Sequence, residues 1–492
     1  MATNSSKCFD MVGNFDLSYI MEVLNPTFRQ EIEDYFASTP MVFEDAKEMR
    51  KAESWLDWAK RLQYLKVVET EIPDFILPGK NSGEIIDVKV FSRRGPDDAI
   101  YDTYQSVREK VARGNCFLRI NKGPLKGTRC ILHALKKFTG GLGDDDDKDR
   151  GDNHTWKKYF AKPLDSARKV IATKKANGEA AHLSCLEMDG HRLICAGSKN
   201  VHILIRNRGD IACYRGDRYR IAAEVCHSIM DNLEEMETVQ RDRLLDFLIA
   251  TRLTAVFEIL APNHQHVEDL SYLSKPVVQF ITWTSTELEP DADQMLCTVP
   301  PHLGIELARA FGLQTVDYET IPVVEVKARM KMIRQGYQYE GEVLYFLDSR
   351  NRVMGLLKKK TIWYIICRAI REKARNAGGS FMKDRGSFSI QKSENQVRKR
   401  LKDIQGWLGL SNEATLQWEN LGIAFVKWTI ESLETKKMGM EGIADVFPVN
   451  WKRFLEENGL SDKIATEFVE EEEEKDEEHL CAAAEAIDDD SS

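Results

Sequence analysis

The sequence predicts an α+β protein built on antiparallel sheets, with a helical C-terminal region. Strand-like apolar runs recur from Val170 to Leu347, and stretches with helical periodicity separate them. Two of these runs flank Asp189-Gly190, a dipeptide that favours a tight hairpin and therefore antiparallel pairing. Beyond Arg368 the apolar residues recur mainly at helical spacing, which predicts helices up to about residue 465.

The N-terminal segment, residues 1–115, is predicted to be an α/β extension. Its clearest element is an amphipathic helix, in which Trp55, Trp58 and Leu62 recur at helical spacing and favour packing on a core. Residues 140–152 are rich in Gly and Asp and contain four consecutive aspartates beginning at Asp144. Repulsion between these charges predicts an exposed, mobile loop.

The remaining elements follow from the same two periodicities. Strands are predicted at residues 181–186, 192–196, 253–260, 277–283, 323–326 and 343–347. Helices are predicted at 222–232 and 302–311. In the C-terminal region, residues 376–380 suggest a hinge or loop, and the Ser-x-x-Gln capping box at 393–396 suggests a helix start.

The composition is that of a globular protein with several domains. The 492 residues are 42% hydrophobic and 30% charged, and no run of 18 apolar residues occurs, so no transmembrane helix is expected. The first residues lack the apolar core of a secretory signal. The ten cysteines form no Cys-x-x-Cys pair, which disfavours a zinc ribbon or a disulfide framework. We therefore expect an intracellular protein, cytoplasmic or nuclear, with reduced thiols.

The negative charge is concentrated at one end of the chain. The net charge is −10, and the segment from Glu467 to Asp490 contributes −12 through thirteen acidic residues and one lysine. Subtracting that segment leaves a body of about +2, which is compatible with a nucleic-acid partner. Dense like charge predicts that the tail, residues 467–492, is disordered.

One lysine follows a predicted buried strand. The run Val170–Thr173 leads to Lys175, and Asn177-Gly178 then closes a turn. A lysine at the lip of a buried strand can lose its proton if the site disfavours its charge, and it then becomes an amine nucleophile. Lys-x-x-Gly occurs six times in this chain, however, so the motif alone indicates only a surface lysine before a turn.

Two carboxylates lie in strand-like contexts downstream. Glu258 interrupts the apolar run 254–260, where a buried carboxylate must be paired or hydrogen-bonded. It could accept bonds from a ribose hydroxyl, or form an ordinary ion pair at the strand end. Glu340-Gly341 opens a later strand, and a carboxylate there could approach a phosphate through a divalent cation.

Lysines complete the set of polar candidates. On a strand, Lys358 and Lys360 would share one face, where two cations could hold a phosphate and stabilise developing negative charge. Gly197-Ser198-Lys199 is a turn of small residues that presents another lysine. A lysine triplet by itself is usually a solvated surface, so these residues gain weight only from their neighbours.

In this order, the residues resemble the successive motifs of the covalent nucleotidyltransferase superfamily, which includes DNA ligases, RNA ligases and mRNA capping enzymes. The resemblance rests on Lys175-Ala176-Asn177-Gly178, Phe257-Glu258, Glu340-Gly341-x-Val343 and Lys358-x-Lys360. The Lys-x-Asn-Gly form is similar to that of tRNA ligases. Gly127-Thr128-Arg129 and Lys137-Phe138 resemble the elements before the nucleophile in phage RNA ligase 1 enzymes, and Gly197-Ser198-Lys199 resembles their next motif.

The resemblance implies a role for each candidate residue. Lys175 would be the adenylated nucleophile, and Gly178 would belong to the nucleotide site. Arg129, Lys137 and Lys199 would contact phosphates or ribose, Glu258 the ribose, and Phe280 the adenine. Glu340 would help to place the metal, and Lys358 and Lys360 would hold the α-phosphate. The implied cofactors are ATP and Mg²⁺ (or Mn²⁺).

The resemblance also implies an architecture and a partner. Residues 116–367 would be the nucleotidyltransferase domain and residues 368–466 a helical RNA-binding domain. The partner would be RNA with 5′-phosphate and 3′-hydroxyl ends, in tRNA splicing or RNA repair, without a membrane and with the enzyme as a monomer. The chain departs from DNA ligases and capping enzymes because helices, not a β-barrel, follow the last motif. Two alternatives stay open: an mRNA guanylyltransferase, and a non-catalytic RNA-binding protein.

Overall fold

The computed structural model describes residues 11–465, apart from residues 13–14, 40, 42, 94, 96, 124, 142, 145–154 and 289–295. The predicted disordered tail, residues 467–492, lies outside the described residues, as does most of the Gly- and Asp-rich loop.

Helices lie near both ends of the described chain and in the intervals between strands. They are α1 Ser18–Val23, α2 Pro26–Ser38, α3 Asp45–Lys60, α4 Asp98–Thr103, α5 Gln105–Lys110, α6 Arg220–Glu235, α7 Thr238–Thr251, α8 Pro301–Ala310, α9 Val326–Arg334, α10 Ile362–Lys383, α11 Ile390–Leu408, α12 Asn412–Glu434, α13 Met440–Ala444 and α14 Phe447–Asn458. Short 3-10 helices cover Thr155–Tyr159, Leu164–Ser166, Arg208–Cys213, Asp217–Tyr219 and Val323–Glu325.

The strands in the described ranges form four sheets. They are β1 Met11–Val12, β2 Phe15–Asp16, β3 Leu65–Glu71, β4 Ser82–Val90, β5 Asn115–Lys122, β6 Gly127–His133, β7 Lys169–Lys174, β8 Glu179–Met188, β9 His191–Gly197, β10 His202–Ile205, β11 Leu253–Leu260, β12 Val277–Ser285, β13 Tyr318–Ile321, β14 Gly341–Leu347 and β15 Val353–Lys360. The orders are β1-β2, β3-β4-β5-β6, β10-β9-β8-β11-β12 and β13-β7-β14-β15.

All named strands pair in antiparallel fashion, which confirms the predicted α+β class. The hairpin between β8 and β9 turns at Asp189 and Gly190, which have φ angles of 50° and 72°. Two positive φ values suit the tight turn that matches the twist of paired strands. The apolar faces of β11 and β12 meet α7 and α8 in the largest core, where Phe247, Trp283 and Phe311 are fully buried.

The N-terminal sheet is continuous across the boundary predicted at residue 115. Strand β4 pairs with β5 through Asp87 and Cys116, and α3 packs on this sheet through Trp55, which lies 5.1 Å from the Phe117 ring. The strands on both sides of residue 115 therefore share one sheet and one core, because the pairing of β4 with β5 needs both segments.

The C-terminal region is helical, as predicted, but the predicted hinge at 376–380 is wrong. These residues lie inside α10, which runs unbroken from Ile362 to Lys383. Gly378 is tolerated there because it packs against Ile443, where a larger side chain would collide. The boundary predicted after residue 367 also falls inside α10. Helix α11 begins at Ile390, and its N-cap, Ser389, lies four residues before Ser393, the first residue of the predicted capping box.

Two further local predictions are wrong. Residues 323–326 form a 3-10 turn and the start of α9 instead of a strand, because Val323 and Val326 are buried at helical spacing. Asp144, expected in an exposed loop, is fully buried. Its carboxylate accepts hydrogen bonds from both terminal nitrogens of Arg334 at 2.8 Å and from the Lys360 backbone N–H at 2.7 Å.

The buried pair of Asp144 and Arg334 yields a stability prediction. Asp144→Ala removes the countercharge from a guanidinium that is 4% exposed, and we expect the free energy of unfolding to fall by about 3–5 kcal/mol. Urea denaturation followed by circular dichroism measures this change. Asp231→Ala is the matched control, because Asp231 pairs with Arg208 at the surface and should contribute less than about 1 kcal/mol. Equal losses in the two variants would contradict the structural role of Asp144.

Candidate active site

The candidate site lies where the turn 175–178 connects β7 of one sheet to β8 of the next. Two backbone hydrogen bonds hold this turn. The Lys175 N–H donates to the Gly341 carbonyl at 2.9 Å, and the Gly178 N–H donates to the Glu258 carboxylate at 3.1 Å. Strands β7, β8, β11 and β14 therefore present their side chains around one point.

Gly178 and Gly341 permit this close approach. A Cβ on Gly178 would lie 2.0 Å from the Ile259 carbonyl oxygen, and one on Gly341 would lie 2.0 Å from the Lys359 carbonyl oxygen. Gly341 also has a φ of 147°, which disfavours other residues. The neighbouring strands leave no room for a side chain at either position, so the fold itself requires both glycines.

Lys175 is held as an ammonium ion. Its Nζ lies 3.0 Å from Oε1 of Glu340, and its side chain is 23% exposed. Burial favours loss of the proton, but attraction to Glu340 and Glu258 and the hydrogen bond to Glu340 outweigh burial, so the pKa of Lys175 is raised. A lysine nucleophile was predicted at a site that disfavours its charge. In the protein without ligands, the site favours that charge.

Glu340 is a buried carboxylate with three partners. It is 2% exposed, and its Oε1 lies 3.0 Å from Lys175 and 3.3 Å from Lys360. Its Oε2 accepts a hydrogen bond from Asn177 at 2.7 Å. Burial opposes the charged form, but the two lysines overcome it and lower the pKa of Glu340 to about 2.

Two more carboxylates border Lys175. Burial raises the pKa of Glu258 to about 7; repulsion by Glu340 adds to that shift, whereas Lys175 opposes it. Burial also raises the pKa of Glu268, whose Oε1 accepts the Glu340 backbone N–H at 2.5 Å. The lysine therefore lies among three carboxylates, of which Glu258 can be protonated near neutral pH.

Asn177 uses its complete hydrogen-bonding capacity. Its Nδ2 donates to Glu340 at 2.7 Å and to the Tyr364 hydroxyl at 2.9 Å. Its Oδ1 accepts the backbone N–H groups of Val267 and Glu268 at 3.2 and 3.3 Å. Asparagine fits this position because an aspartate could not donate to Glu340 and would add a second negative charge beside it.

Two of the predicted lysines, Lys137 and Lys358, interact with Asp98. The Lys137 ammonium contacts the Asp98 carboxylate, and an Arg113 nitrogen lies 3.7 Å from it. Burial opposes the charge of Asp98, but Lys137, Lys358 and Arg113 together lower the pKa of Asp98 to about 2. Burial, assisted by Arg113 and Lys137, lowers the pKa of Lys199.

Lys358 interacts with both groups of residues, the one around Lys175 and the one around Asp98. It acts electrostatically both on Lys175 and on Asp98, and it pairs in register with Val343 on the strand that follows Glu340. Lys358 and Lys360 alternate with Lys359, which instead lies 3.9 Å from Asp144. The cationic cluster of Lys137, Lys199, Lys358 and Arg113 therefore adjoins the carboxylate cluster of Glu258, Glu268 and Glu340.

Sequence reasoning missed several of these residues. Asp98 and Arg113 lie in the segment predicted to be a separate extension, and Glu268 and Tyr364 carry no motif of their own. Asn177 belongs to the Lys-x-Asn-Gly motif, but the motif does not predict its hydrogen-bond partners. A signal for Asp98 was present only in the Asp97-Asp98 pair, which resembles any exposed turn.

Two predicted residues lie away from this group. Arg129 pairs with Asp45 at 3.1 Å and lines a separate pocket with Ser184. Phe280 is fully buried and lies 5.6 Å from Phe257 and 4.7 Å from Trp283, measured between ring centroids.

The strand register explains the position of Phe280. It is directly opposite Phe257, and opposed residues share one face of a sheet. Glu258, the next residue along the strand, points to the other face. Phe280 therefore belongs to the core and does not line the surface on which Glu258 lies.

Carboxylate oxygens at Glu258, Glu268 and Glu340 are donors of the kind that Mg²⁺ and Mn²⁺ prefer. The oxygens of Glu340 are already engaged by Lys175, Lys360 and Asn177. A divalent cation at Glu340 would consequently compete with Lys175 for the carboxylate.

Asn177→Asp should destabilise the folded protein. The substitution replaces a donor to Glu340 with a like charge, and we expect the free energy of unfolding to fall by about 2–4 kcal/mol at neutral pH. Urea denaturation measures the loss. Asn412→Asp, at the exposed start of α12, provides the same chemical change without a buried neighbour. A loss no larger than that of Asn412→Asp would contradict the proposed network.

The raised pKa of Glu258 should make the stability of the folded protein depend on pH. Its folded pKa of about 7 exceeds its ordinary value of 4.5, so the folded protein binds this proton more tightly than the unfolded chain. The stability that this proton contributes is present at low pH and is lost as the pH rises through about 7. Relative to Glu258→Gln, the wild type should therefore become less stable between about pH 5 and about pH 8. Urea unfolding midpoints across this range test the prediction, with exposed Glu187→Gln on β8 as the control. A constant difference from Glu258→Gln would contradict it.

None of the helices in the described part of the chain is long and apolar enough to cross a membrane. No curated protein matches the sequence. Among solved structures, a mutant RNA ligase of Naegleria gruberi with ATP and Mn aligns at 11% identity, over 62% of this chain and 98% of that chain, with a TM-score of 0.27. A TM-score this low does not establish a common fold.

A family model covers the segment that contains the site. It matches residues 84–371, from β4 into α10, and thus includes every residue of the two clusters from Asp98 to Tyr364. Because the match extends over more than half of the chain, this protein belongs to the family described as "Domain of unknown function (DUF7920)".

Proposed function

We propose that this protein is an ATP-dependent RNA ligase that acts through a covalent lysyl-AMP at Lys175. The observation that carries the proposal is the convergence of residues from distant parts of the sequence. Lys175, Glu258, Glu340 and Lys360 come from the end regions of four different strands. Glu258 and Glu340 are bonded to the turn 175–178 that contains Lys175, and Lys360 is joined to it through its ion pair with Glu340. A chance lysine before a turn would not collect these partners.

In the proposed first step, the Lys175 amine attacks the α-phosphorus of ATP and pyrophosphate leaves. The amine must first lose the proton that Glu340 and Glu258 now help to hold. Glu340 and its neighbouring carboxylates would hold Mg²⁺ (or Mn²⁺), which would neutralise phosphate charge. Withdrawal of Glu340 from Lys175 would remove the main attraction that raises the lysine's pKa.

The cationic cluster supports binding of a polyphosphate. Lys358 and Lys360 would contact the α-phosphate and stabilise charge as pyrophosphate leaves. Lys137, Lys199 and Arg113 would extend the positive surface around Asp98. Glu258, protonated or ionised near neutral pH, can donate or accept a hydrogen bond with a ribose hydroxyl. Arg129 and Phe280 are left out of this proposal because of their positions.

In the later steps, AMP passes to an RNA 5′-phosphate, and a 3′-hydroxyl then displaces AMP to seal the strand. Exposed cations on α10 and α11, including Arg375, Lys399 and Lys402, would contribute phosphate contacts. Arg371 would not, since it donates to the Ala444 carbonyl at 2.7 Å. Such an enzyme would act in the cytoplasm or nucleus, where its RNA and ATP are present.

Label transfer from α-³²P-ATP with Mg²⁺ or Mn²⁺, followed by a denaturing gel, tests the proposal. The wild type should become labelled through an acid-labile P–N bond, and Lys175→Ala should lose the label entirely, because alanine cannot form a phosphoramidate. Lys174→Ala, at the exposed neighbouring position, should retain it. Covalent labelling of folded Lys175→Ala would overturn the assignment, and labelling by GTP instead of ATP would indicate a guanylyltransferase.

A chase then tests the RNA steps. Labelled protein incubated with RNA that carries 5′-phosphate and 3′-hydroxyl ends should lose its label and yield joined RNA. If the protein becomes labelled but does not transfer AMP to the RNA, it would still be a nucleotidyltransferase, but this RNA would not be its substrate.

A further inference from the structure

Outside the Lys175 group, two histidine side chains converge on one carboxylate oxygen. Nε2 of His266 lies 3.3 Å and Nε2 of His264 lies 3.5 Å from the same Oε1 of Glu179. All three ligand atoms lie within 4.8 Å of one another. Asp445 approaches the other side of His264, with its Oδ1 3.4 Å from Nδ1.

The strand order brings these residues together. Glu179 begins β8 and pairs with Ile259 near the end of β11. The chain then turns back after β11, where the His264 N–H donates to the Ala261 carbonyl at 3.2 Å. His264 and His266, which alternate with Gln265, consequently return to the side of Glu179.

Gln265 fixes the loop that carries the two histidines. It is 1% exposed, its Nε2 donates to the Pro262 carbonyl at 2.6 Å, and its Oε1 accepts the Leu270 N–H at 2.9 Å. Its backbone N–H donates to the Asp445 carbonyl at 2.6 Å, which ties the loop to the helical region. The imidazoles are therefore held in place before any ligand binds.

The distances suit a shared cation better than direct hydrogen bonds. Bonds from N–H to O are usually about 2.7–3.2 Å long, shorter than the two contacts here. Ligands bound tetrahedrally at about 2.0–2.1 Å from zinc are about 3.3 Å from one another. The Nε2-to-Oε1 separations of 3.3 and 3.5 Å match that edge.

We propose that Glu179, His264 and His266 bind one divalent transition-metal ion of the zinc class, with an open coordination position toward solvent. Two imidazoles and one carboxylate are a zinc donor set, and they differ from the all-oxygen set around Glu340. The side chains of Glu179, His264 and His266 are 45%, 45% and 26% exposed, which leaves access for the ion and a fourth ligand. Asp445 orients His264 through Nδ1, as carboxylates beside metal-bound histidines do.

A second cluster, Asp87, Cys116 and His202, is less suited to a metal. It is fully buried, and the Asp87 carboxylate is already bonded to His202 at 2.8 Å and to Arg218 at 2.7 Å. The Glu179 site, by contrast, lies beside the candidate active site, since His266 is close enough to Glu258 to lower that carboxyl's pKa.

Metal-free protein, prepared with a chelator, is titrated with Co²⁺ and then with Zn²⁺. We expect one equivalent of Co²⁺ to give visible absorption bands of a low-coordinate site, and Zn²⁺ to displace it. The double variant His264→Ala/His266→Ala should bind at least about 100-fold more weakly, and Asp445→Ala about 10-fold more weakly. His227→Ala, at an exposed position on α6, should bind as the wild type does.

Glu179→Gln is a second test that does not depend on whether the double variant folds. It keeps the size of the side chain and removes its charge. It should lose Co²⁺ binding while retaining the wild-type circular dichroism spectrum. Co²⁺ bands of equal intensity in the wild type and in Glu179→Gln, or no bands in the wild type, would overturn the proposal. Lys175→Ala should keep the Co²⁺ bands, so failure of this inference and failure of the proposed ligase activity can be told apart.

Discussion

The structure around the candidate site depends on the buried negative charge of Glu340. A carboxylate that is 2% exposed requires partners, and its three partners come from two places: Lys175 and Asn177 from the turn after β7, and Lys360 from the end of β15. The bonds of Glu340 to Lys175 and Asn177 hold the turn 175–178 against the start of β14. The same turn connects β7 of a four-stranded sheet to β8 of the five-stranded sheet, so the ion pairs also help to determine how those two sheets meet.

Two groups of charges interact at this junction. Lys175 interacts with Glu258, Glu268 and Glu340, and Lys358 acts electrostatically both on Lys175 and on Asp98. Lys175 thus has competing influences on its proton, and the carboxylates prevail in the protein alone. Any polyanion that brought its own cation would change that balance, which is the physical basis of the proposed chemistry.

The segments that flank the junction take part in it as well. The N-terminal sheet carries α4 and Arg113 to the cationic cluster, and α10 supplies the Tyr364 hydroxyl to Asn177. Asp445, between α13 and α14, contacts both the backbone of Gln265 and the ring of His264. The helical region is therefore attached to the loop after β11, directly beside the proposed transition-metal site.

Periodicity in the sequence determined the antiparallel α+β class, strands such as 253–260 and the hairpin at Asp189-Gly190, because these features depend on neighbours a few residues apart. The order of polar residues also singled out Lys175, Glu258, Glu340 and Lys360. Only the tertiary structure decided the charge of Lys175, the core position of Phe280, the pairing of Arg129 with Asp45 and the burial of Asp144. Strand register and sheet order bring together groups that lie hundreds of residues apart, and a side chain's burial and protonation depend on those groups.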